Sequence, residues 1–123
     1  MTMKVKTYLD KSLLHGIGLF AGEFITKGQL IWEHDSIIDG WLPALHNYNY
    51  DSITRENFDY MYCYDKDLDK IIHFADNVRF INHNSEPNLT APTKYIHYAA
   101  MDIYSGEELT IDYDLVCDNG KGF

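Results

Sequence analysis

The run Arg79-Phe80-Ile81-Asn82-His83-Asn84-Ser85-Glu86-Pro87-Asn88 concentrates the chemistry of this chain. An Asn amide both donates and accepts hydrogen bonds, and a neutral His does one of each. Asn82 and His83, side by side behind an apolar Phe80-Ile81 pair, suit a ligand with an amino group, a carboxylate and a purine ring. A regular strand or helix has little use for that mixture. The segment reads as backbone held in an unusual shape so that polar groups face a ligand. The alternative reading is a polar loop capped by Asn-x-Pro turn chemistry.

Two further stretches carry possible chemistry. In His15-Gly16-Ile17-Gly18-Leu19-Phe20-Ala21, two glycines flank one residue, which lets backbone approach a ligand closely. The full dinucleotide fingerprint is absent, because Ala21 stands at its third glycine and no strand-then-long-helix frame surrounds it. Alone, the motif reads as a hairpin turn. In Gly106-Glu107-Glu108-Leu109-Thr110-Ile111-Asp112-Tyr113-Asp114, the period is that of a strand. Leu109, Ile111 and Tyr113 are in phase, with Thr110 and Asp112 opposite. On that pattern Tyr113 is a core or rim aromatic.

The elements that position these residues belong to a mainly β domain. A length of 123 residues fits one domain, and 46% hydrophobic residues imply a packed core. Ten Tyr and six Phe supply apolar area, and the tyrosines add polar tips for a wet pocket. Short apolar runs separated by Gly, Asn and Asp place strands at 5–9, 18–21, 30–38, 70–75, 95–101 and 108–112. Residues 42–55 read as a polar loop or insert, and 57–64 as a strand or a short helix. Ile25-x-x-Gly28 and Ile103-x-x-Gly106 echo one another, each glycine supplying the positive φ of a turn.

The formal net charge of −9 argues against a grip on nucleic-acid phosphates and favours a basic partner such as a Lys/Arg-rich peptide. Cys63 and Cys117 could form one bridge, but no spacing suggests a disulfide framework or a zinc site, and free thiols in a reducing compartment are the expectation. The six His and two Cys give no ligand set, so no metal is expected. The first residues show no signal peptide, and no apolar run approaches the roughly 20 residues of a membrane span. A soluble intracellular protein is the expectation.

Taken in order, the three motifs resemble the SET-domain family of protein lysine methyltransferases, across 14–114. The family pattern has an early Gly-x-Gly, an Arg-Phe-Ile-Asn-His-Ser-Cys-x-Pro-Asn segment and a Glu-Leu-Thr-aromatic-Asp-Tyr end. Here Arg79 to His83 match, then Pro87-Asn88, Glu108-Leu109-Thr110 and Asp112-Tyr113. The resemblance implies a SET-domain (β-clip) fold of short curved sheets with a C-terminal pseudoknot. It implies S-adenosylmethionine as cofactor and the transfer of methyl groups to a lysine of a protein, with a histone or histone-like tail as candidate substrate. A histone target would place the protein at chromatin in the nucleus. A catalytically weak SET fold that only holds a peptide is the alternative.

By resemblance, Gly16, Ile17 and Gly18 contact the cofactor through backbone, and Asn82 and His83 hold its amino-acid and adenine ends. Arg79 and Phe80 shape the wall, and Tyr60 lies against the cofactor. Tyr113 matches the active-site tyrosine. Ile111, where many relatives carry Phe or Tyr, falls in the substrate-lysine channel; His34, where some carry a second tyrosine, either lines that channel or is an ordinary strand histidine. Ile cannot hold a water there, so di- or trimethylation is expected. Asn84-Ser85 replaces the usual Ser-Cys. The expectation is a single SET domain over 1–123 without the family's cysteine-rich, zinc-binding flanks. Phe123 or a neighbouring subunit of a homodimer would then cover the site, as in the small stand-alone viral and bacterial SET proteins.

Overall fold

A computed structural model describes residues 3–44, 47–51 and 62–118. In chain order its strands are β1 (Thr7–Lys11), β2 (Ile17–Ala21), β3 (Leu30–Glu33), β4 (Gly40–Pro43), β5 (Tyr62–Asp65) and β6 (Lys70–His73). A 3-10 turn at Asn77–Phe80 follows, then β7 (Asn82–His83), β8 (Leu89–Thr93), β9 (Ile96–Ala99), β10 (Thr110–Ile111) and a helical turn α1 (Tyr113–Val116). The mainly β expectation holds.

Acidic side chains end these strands early. Asp65 accepts from the Asp67 and Leu68 amides, Asp76 from Val78, and Asp112 from Asp114. Each captures a backbone donor that a longer ladder would have used. This explains why the strand expected over 30–38 stops at Glu33. Asp35 accepts from the Ile37 amide and Asp39 from the Asp35 amide, which folds the chain into a turn. β4 begins at Gly40, so the expected loop at 42–55 starts with the end of a strand. Only the end of 57–64 lies within the described residues, where it forms the start of β5. β8 was not anticipated.

β1 and β2 form an antiparallel hairpin with Thr7 opposite Ala21. β3, β9 and β8 make one three-stranded sheet, and β4, β6 and β5 another. β7 and β10 pair in parallel, Asn82 opposite Thr110 and His83 opposite Ile111. This pairing joins the second and third sequence motifs. The two echoing turns also meet: Ile25 and Ile103 exchange both backbone hydrogen bonds at 2.8 Å. Gly28 and Gly106 take φ of 86° and 94°, as the turn reading requires.

Leu19, Ile25, Ile31, Trp32, Leu89, Ile103 and Leu109 are fully buried and form the centre of the core. Each such side chain contributes about 1.5–3 kcal/mol of burial. Phe80 and Tyr113 pack on this cluster from the motif side. The cysteines correct an expectation. Cys63 of β5 and Cys117, just beyond α1, form a disulfide rather than standing as free thiols. The fold brings their Cα atoms to 4.8 Å, within bonding reach. No described helix is long and apolar enough to cross a membrane.

Candidate active site

The turn between β1 and β2 is built by Ser12 and Gly16. The Ser12 amide donates to the Gly16 carbonyl at 2.8 Å. The Ser12 hydroxyl oxygen accepts from the Leu14 and His15 amides at 2.9 and 3.2 Å. Gly16 has φ of 47°, in the left-handed region that favours glycine. The turn thus presents Gly16, Ile17 and Gly18 beside β7.

Asn82 locks the turn to β7. Its Nδ2 donates to the His15 carbonyl at 2.9 Å, to the Ile17 carbonyl at 3.3 Å and to Glu108 Oε2 at 3.0 Å. The next residue, His83, is exposed and faces α1. Its Nδ1 accepts from the Tyr113 amide at 3.0 Å and lies 3.8 Å from Asp112 Oδ1. With Nδ1 accepting, the neutral ring carries its proton on Nε2, which becomes a donor.

Tyr113 opens α1, where the Asp112 side chain caps the first turn. Its hydroxyl donates to the Ile81 carbonyl at 2.8 Å, and its ring lies 5.2 Å from that of His83. Burial pushes the phenol above its ordinary value, so it stays a neutral donor at physiological pH. The alternating-strand reading of 109–113 therefore fails. Leu109, Thr110 and Ile111 are all buried, and Tyr113 turns into a helix instead of continuing the strand.

The pattern of the SET domain family matches residues 16–114, the stretch that contains this arrangement. The chain belongs to the SET domain family. The "Histone-lysine N-methyltransferase, H3 lysine-4 specific" of Schizosaccharomyces pombe is 34% identical over 121 residues, which cover 89% of this chain and 13% of that protein. The "Histone-lysine N-methyltransferase trr" of Drosophila melanogaster is 29% identical over 117 residues, 86% of this chain and 5% of that protein. Mus musculus "Histone-lysine N-methyltransferase SETMAR" is 32% identical over 115 residues, 80% of this chain and 37% of that protein. The SET domain thus spans a minor part of each of these relatives.

Solved structures share the fold. A humanized mutant of the Chaetomium thermophilum Polycomb Repressive Complex 2 bound to the inhibitor GSK126 superposes with a TM-score of 0.61 at 24% identity, covering 89% of this chain and 15% of that one. "ctPRC2 in an autoinhibited conformation bound to S-adenosylmethionine" gives 0.60 at 24%, covering 90% and 15%.

Within this SET domain, the structure brings together Gly16, Ile17, Gly18, Asn82, His83 and Tyr113. Arg79 and Phe80 stand beside them on the 3-10 turn, half-buried. The Arg79 guanidinium lies 4.8 Å over the Phe80 ring, and its Nη1 donates to the Asp76 carbonyl. Tyr60 and Phe123 lie outside the described residues. Ile111 is 2% exposed and sits opposite His83. His34 lies just past β3 in an aromatic group, 4.8 Å from the Trp41 ring, 5.2 Å from Tyr95 and 6.2 Å from Trp32. Its Nε2 is buried without a hydrogen-bond partner. Beside it, burial and the Asp65 carboxylate push the Tyr95 phenol up to about 12. No described group of His, Cys, Asp and Glu could hold a metal ion.

Sequence reasoning missed three residues of this candidate site. Glu108 accepts from Ser12 Oγ and Asn82 Nδ2, so it touches both the turn and β7. Asn88 latches the third motif: it accepts from the Thr110 amide at 2.8 Å and donates to the Glu108 carbonyl at 2.8 Å. Glu108 and Asn88 stand inside the quoted motifs and were legible as candidates. Nothing in the sequence around Ser12 marks it out.

Proposed function

We propose that this SET domain transfers methyl groups from S-adenosylmethionine to a lysine side chain of a basic protein. The observation that carries it is the Tyr113 hydroxyl held at 2.8 Å on the Ile81 carbonyl, one residue before Asn82 and His83. A neutral phenol and the Ile81 carbonyl are thereby fixed beside polar groups suited to an amino acid and a purine.

The residues fit such a cofactor. Gly16 leaves open space where a side chain would stand. Asn82 has committed Nδ2 to protein acceptors, which leaves Oδ1 as acceptor for an ammonium group. His83 offers Nε2–H from an exposed ring. Arg79 and Phe80 supply a flat wall. Bound there, the cofactor supplies a methyl group activated on a sulfonium.

The chain's own residues position the acceptor. A free lysine has a pKa of about 10.4, so the neutral, reactive amine is scarce at neutral pH. A dry channel disfavours the ammonium form. The Tyr113 hydroxyl and the Ile81 carbonyl orient the amine for in-line attack, so positioning and electrostatics do most of the work. The proton leaves through water. Tyr113, with its raised pKa, is a poor base; its O–H donates to the Ile81 carbonyl, so its oxygen accepts from the amine N–H and acts as a guide. The rate should therefore rise with pH between 6 and 9, following the amine.

Two finer readings accompany this one. The net charge of −9 steers a basic peptide towards the domain, and the names of the relatives favour a histone tail, which puts the reaction in the nucleus. Ile111, buried and without a hydroxyl, leaves room for an already methylated amine, so the product is di- or trimethyl-lysine. The decisive experiment incubates the protein with labelled S-adenosylmethionine, a histone panel and lysate, and maps the modified residue by mass spectrometry. Label on lysine is expected. Cofactor binding without transfer would return the domain to a peptide-binding role, and strictly monomethyl product would overturn the reading of Ile111.

A further inference from the structure

The two glycines of the β1–β2 turn do different work. A Cβ added at Gly16 meets nothing within 4 Å, and that residue is needed for its φ of 47°. A Cβ added at Gly18 would stand 2.7 Å from Glu108 Oε2 and 2.8 Å from Glu108 Cδ. The space that Gly18 leaves is therefore filled from inside the protein, by a carboxylate.

Backbone pairing delivers that carboxylate. Phe20 and Glu108 form an antiparallel bridge, and the Leu109 amide donates to the Leu19 carbonyl at 2.8 Å. Glu108 is thus laid across β2 onto Gly18. There Ser12 Oγ sits 2.7 and 2.9 Å from its two oxygens, and Asn82 Nδ2 donates to Oε2 at 3.0 Å. Ser12 Oγ also receives the Leu14 and His15 amides, while Asn82 Nδ2 also reaches the His15 and Ile17 carbonyls. One carboxylate is wired to both sides of the turn. It also turns the Asn82 amide so that Oδ1 is the atom left for a ligand. Charge-assisted bonds of this kind are about twice as strong as neutral ones.

We propose that Glu108, seated in the space left by Gly18 and held by Ser12, is a positioning residue that sets the 16–18 turn and the Asn82 amide for cofactor binding. This rests on the reading of the site as one for S-adenosylmethionine. Gly18, on this view, is a glycine because Glu108 needs the room, and the ligand gains from it only indirectly.

The test is a double-mutant cycle of Gly18→Ala and Glu108→Ala, read by calorimetric S-adenosylmethionine affinity and by the unfolding midpoint without ligand. Glu108→Ala should raise Kd tenfold or more, with kcat at saturating cofactor within threefold of wild type. Gly18→Ala should weaken binding in the wild-type background and change it less than twofold beside Glu108→Ala, where the clash partner is gone. Ser12→Ala should raise Kd several-fold, and Ser12→Thr should restore it. If Glu108→Ala does not fold, Glu108→Ser, which also empties the space beside Gly18, carries the same comparison. An equal cost of Gly18→Ala in both backgrounds, or a wild-type Kd for the Glu108 variants, overturns the proposal. A wild-type protein that binds no S-adenosylmethionine overturns the functional reading instead. The Gly18–Glu108 coupling in the unfolding midpoint tells the two failures apart.

Discussion

Tyr113 is the residue whose chemistry depends least on its neighbours' identity and most on where the chain turns. Its hydroxyl makes one hydrogen bond, to the Ile81 carbonyl, and burial keeps it protonated. Because the folded-state pKa is raised, its contribution to stability is intact below the ordinary tyrosine value and is lost only as pH climbs through the raised one. Across pH 6–9 it neither titrates nor changes role. Tyr113→Phe should therefore lower methyl transfer by about 100-fold or more, the usual cost of losing one fixed hydrogen-bonding group. Cofactor affinity, measured by calorimetry, should stay within about twofold, because the ring and the Tyr113 amide that binds His83 remain. Full activity in this variant would remove Tyr113 from the mechanism. Period-2 alternation alone gave Tyr113 a core role, and only its place after Asp112, in the order of three motifs, gave it a chemical one. The Asp112 cap that starts α1 is what defeats the alternation.

At the scale of elements, the strands were legible where apolar residues ran long enough to show a period, as in β2, β3 and β6. β10 fell inside the strand expected over 108–112, but β7 and its parallel pairing with β10 were not legible, because a two-residue strand has no period to read. What fixes this pair is side-chain chemistry. Asn88 accepts from the Thr110 amide and donates to the Glu108 carbonyl, tying β10 and the residue bearing the carboxylate to the start of β8. Asn88→Ala leaves two part-buried backbone groups without these partners, and each such loss costs about 1–3 kcal/mol. A fall in stability of about 2 kcal/mol or more in urea denaturation is expected, with methyl transfer reduced alongside. The β3–β9 pairing has its own signature. It sets His97 opposite Trp32, with ring centroids 4.8 Å apart and no hydrogen-bond partner for either His97 nitrogen. Burial brings the His97 pKa down to about 4. A base with a depressed folded-state pKa loses stability as pH falls from its ordinary value of about 6.5 towards 4, because the unfolded chain takes up the proton first. That loss is on the order of 3 kcal/mol. His97→Phe should be less sensitive to acid than wild type over this window, in denaturation at pH 7 and pH 5. An unchanged acid response would show that His97 does not carry it.

For the molecule as a whole, the question is what holds the C-terminal side of the site against the rest. Residues 117–118, beyond α1, are tied to β5, to its turn and to the turn between β8 and β9. The Asp118 amide donates to the Tyr64 carbonyl, the Lys66 amide donates to the Asp118 carboxylate, and Lys94 pairs with Asp118 at 3.2 Å. The Cys63–Cys117 disulfide adds a covalent tie across a sequence separation of 54. The sequence pointed to free thiols because two distant cysteines show no framework, and compartment usage filled the gap; the distance between them is a property of the fold. Closing a loop of that length removes about 4 kcal/mol of chain entropy from the unfolded state. Cys63→Ser should therefore lower stability by up to about that amount. The loss should appear as a lower Tm, and a dithiol reductant should lower the wild type similarly while leaving the variant unchanged. The Ser12–Glu108–Asn82 contacts lie on another part of the chain, so cofactor affinity measured well below Tm should change little. An equal Tm for wild type and Cys63→Ser under oxidising conditions would show that the hydrogen bonds and ion pair of Asp118 hold this corner without the disulfide.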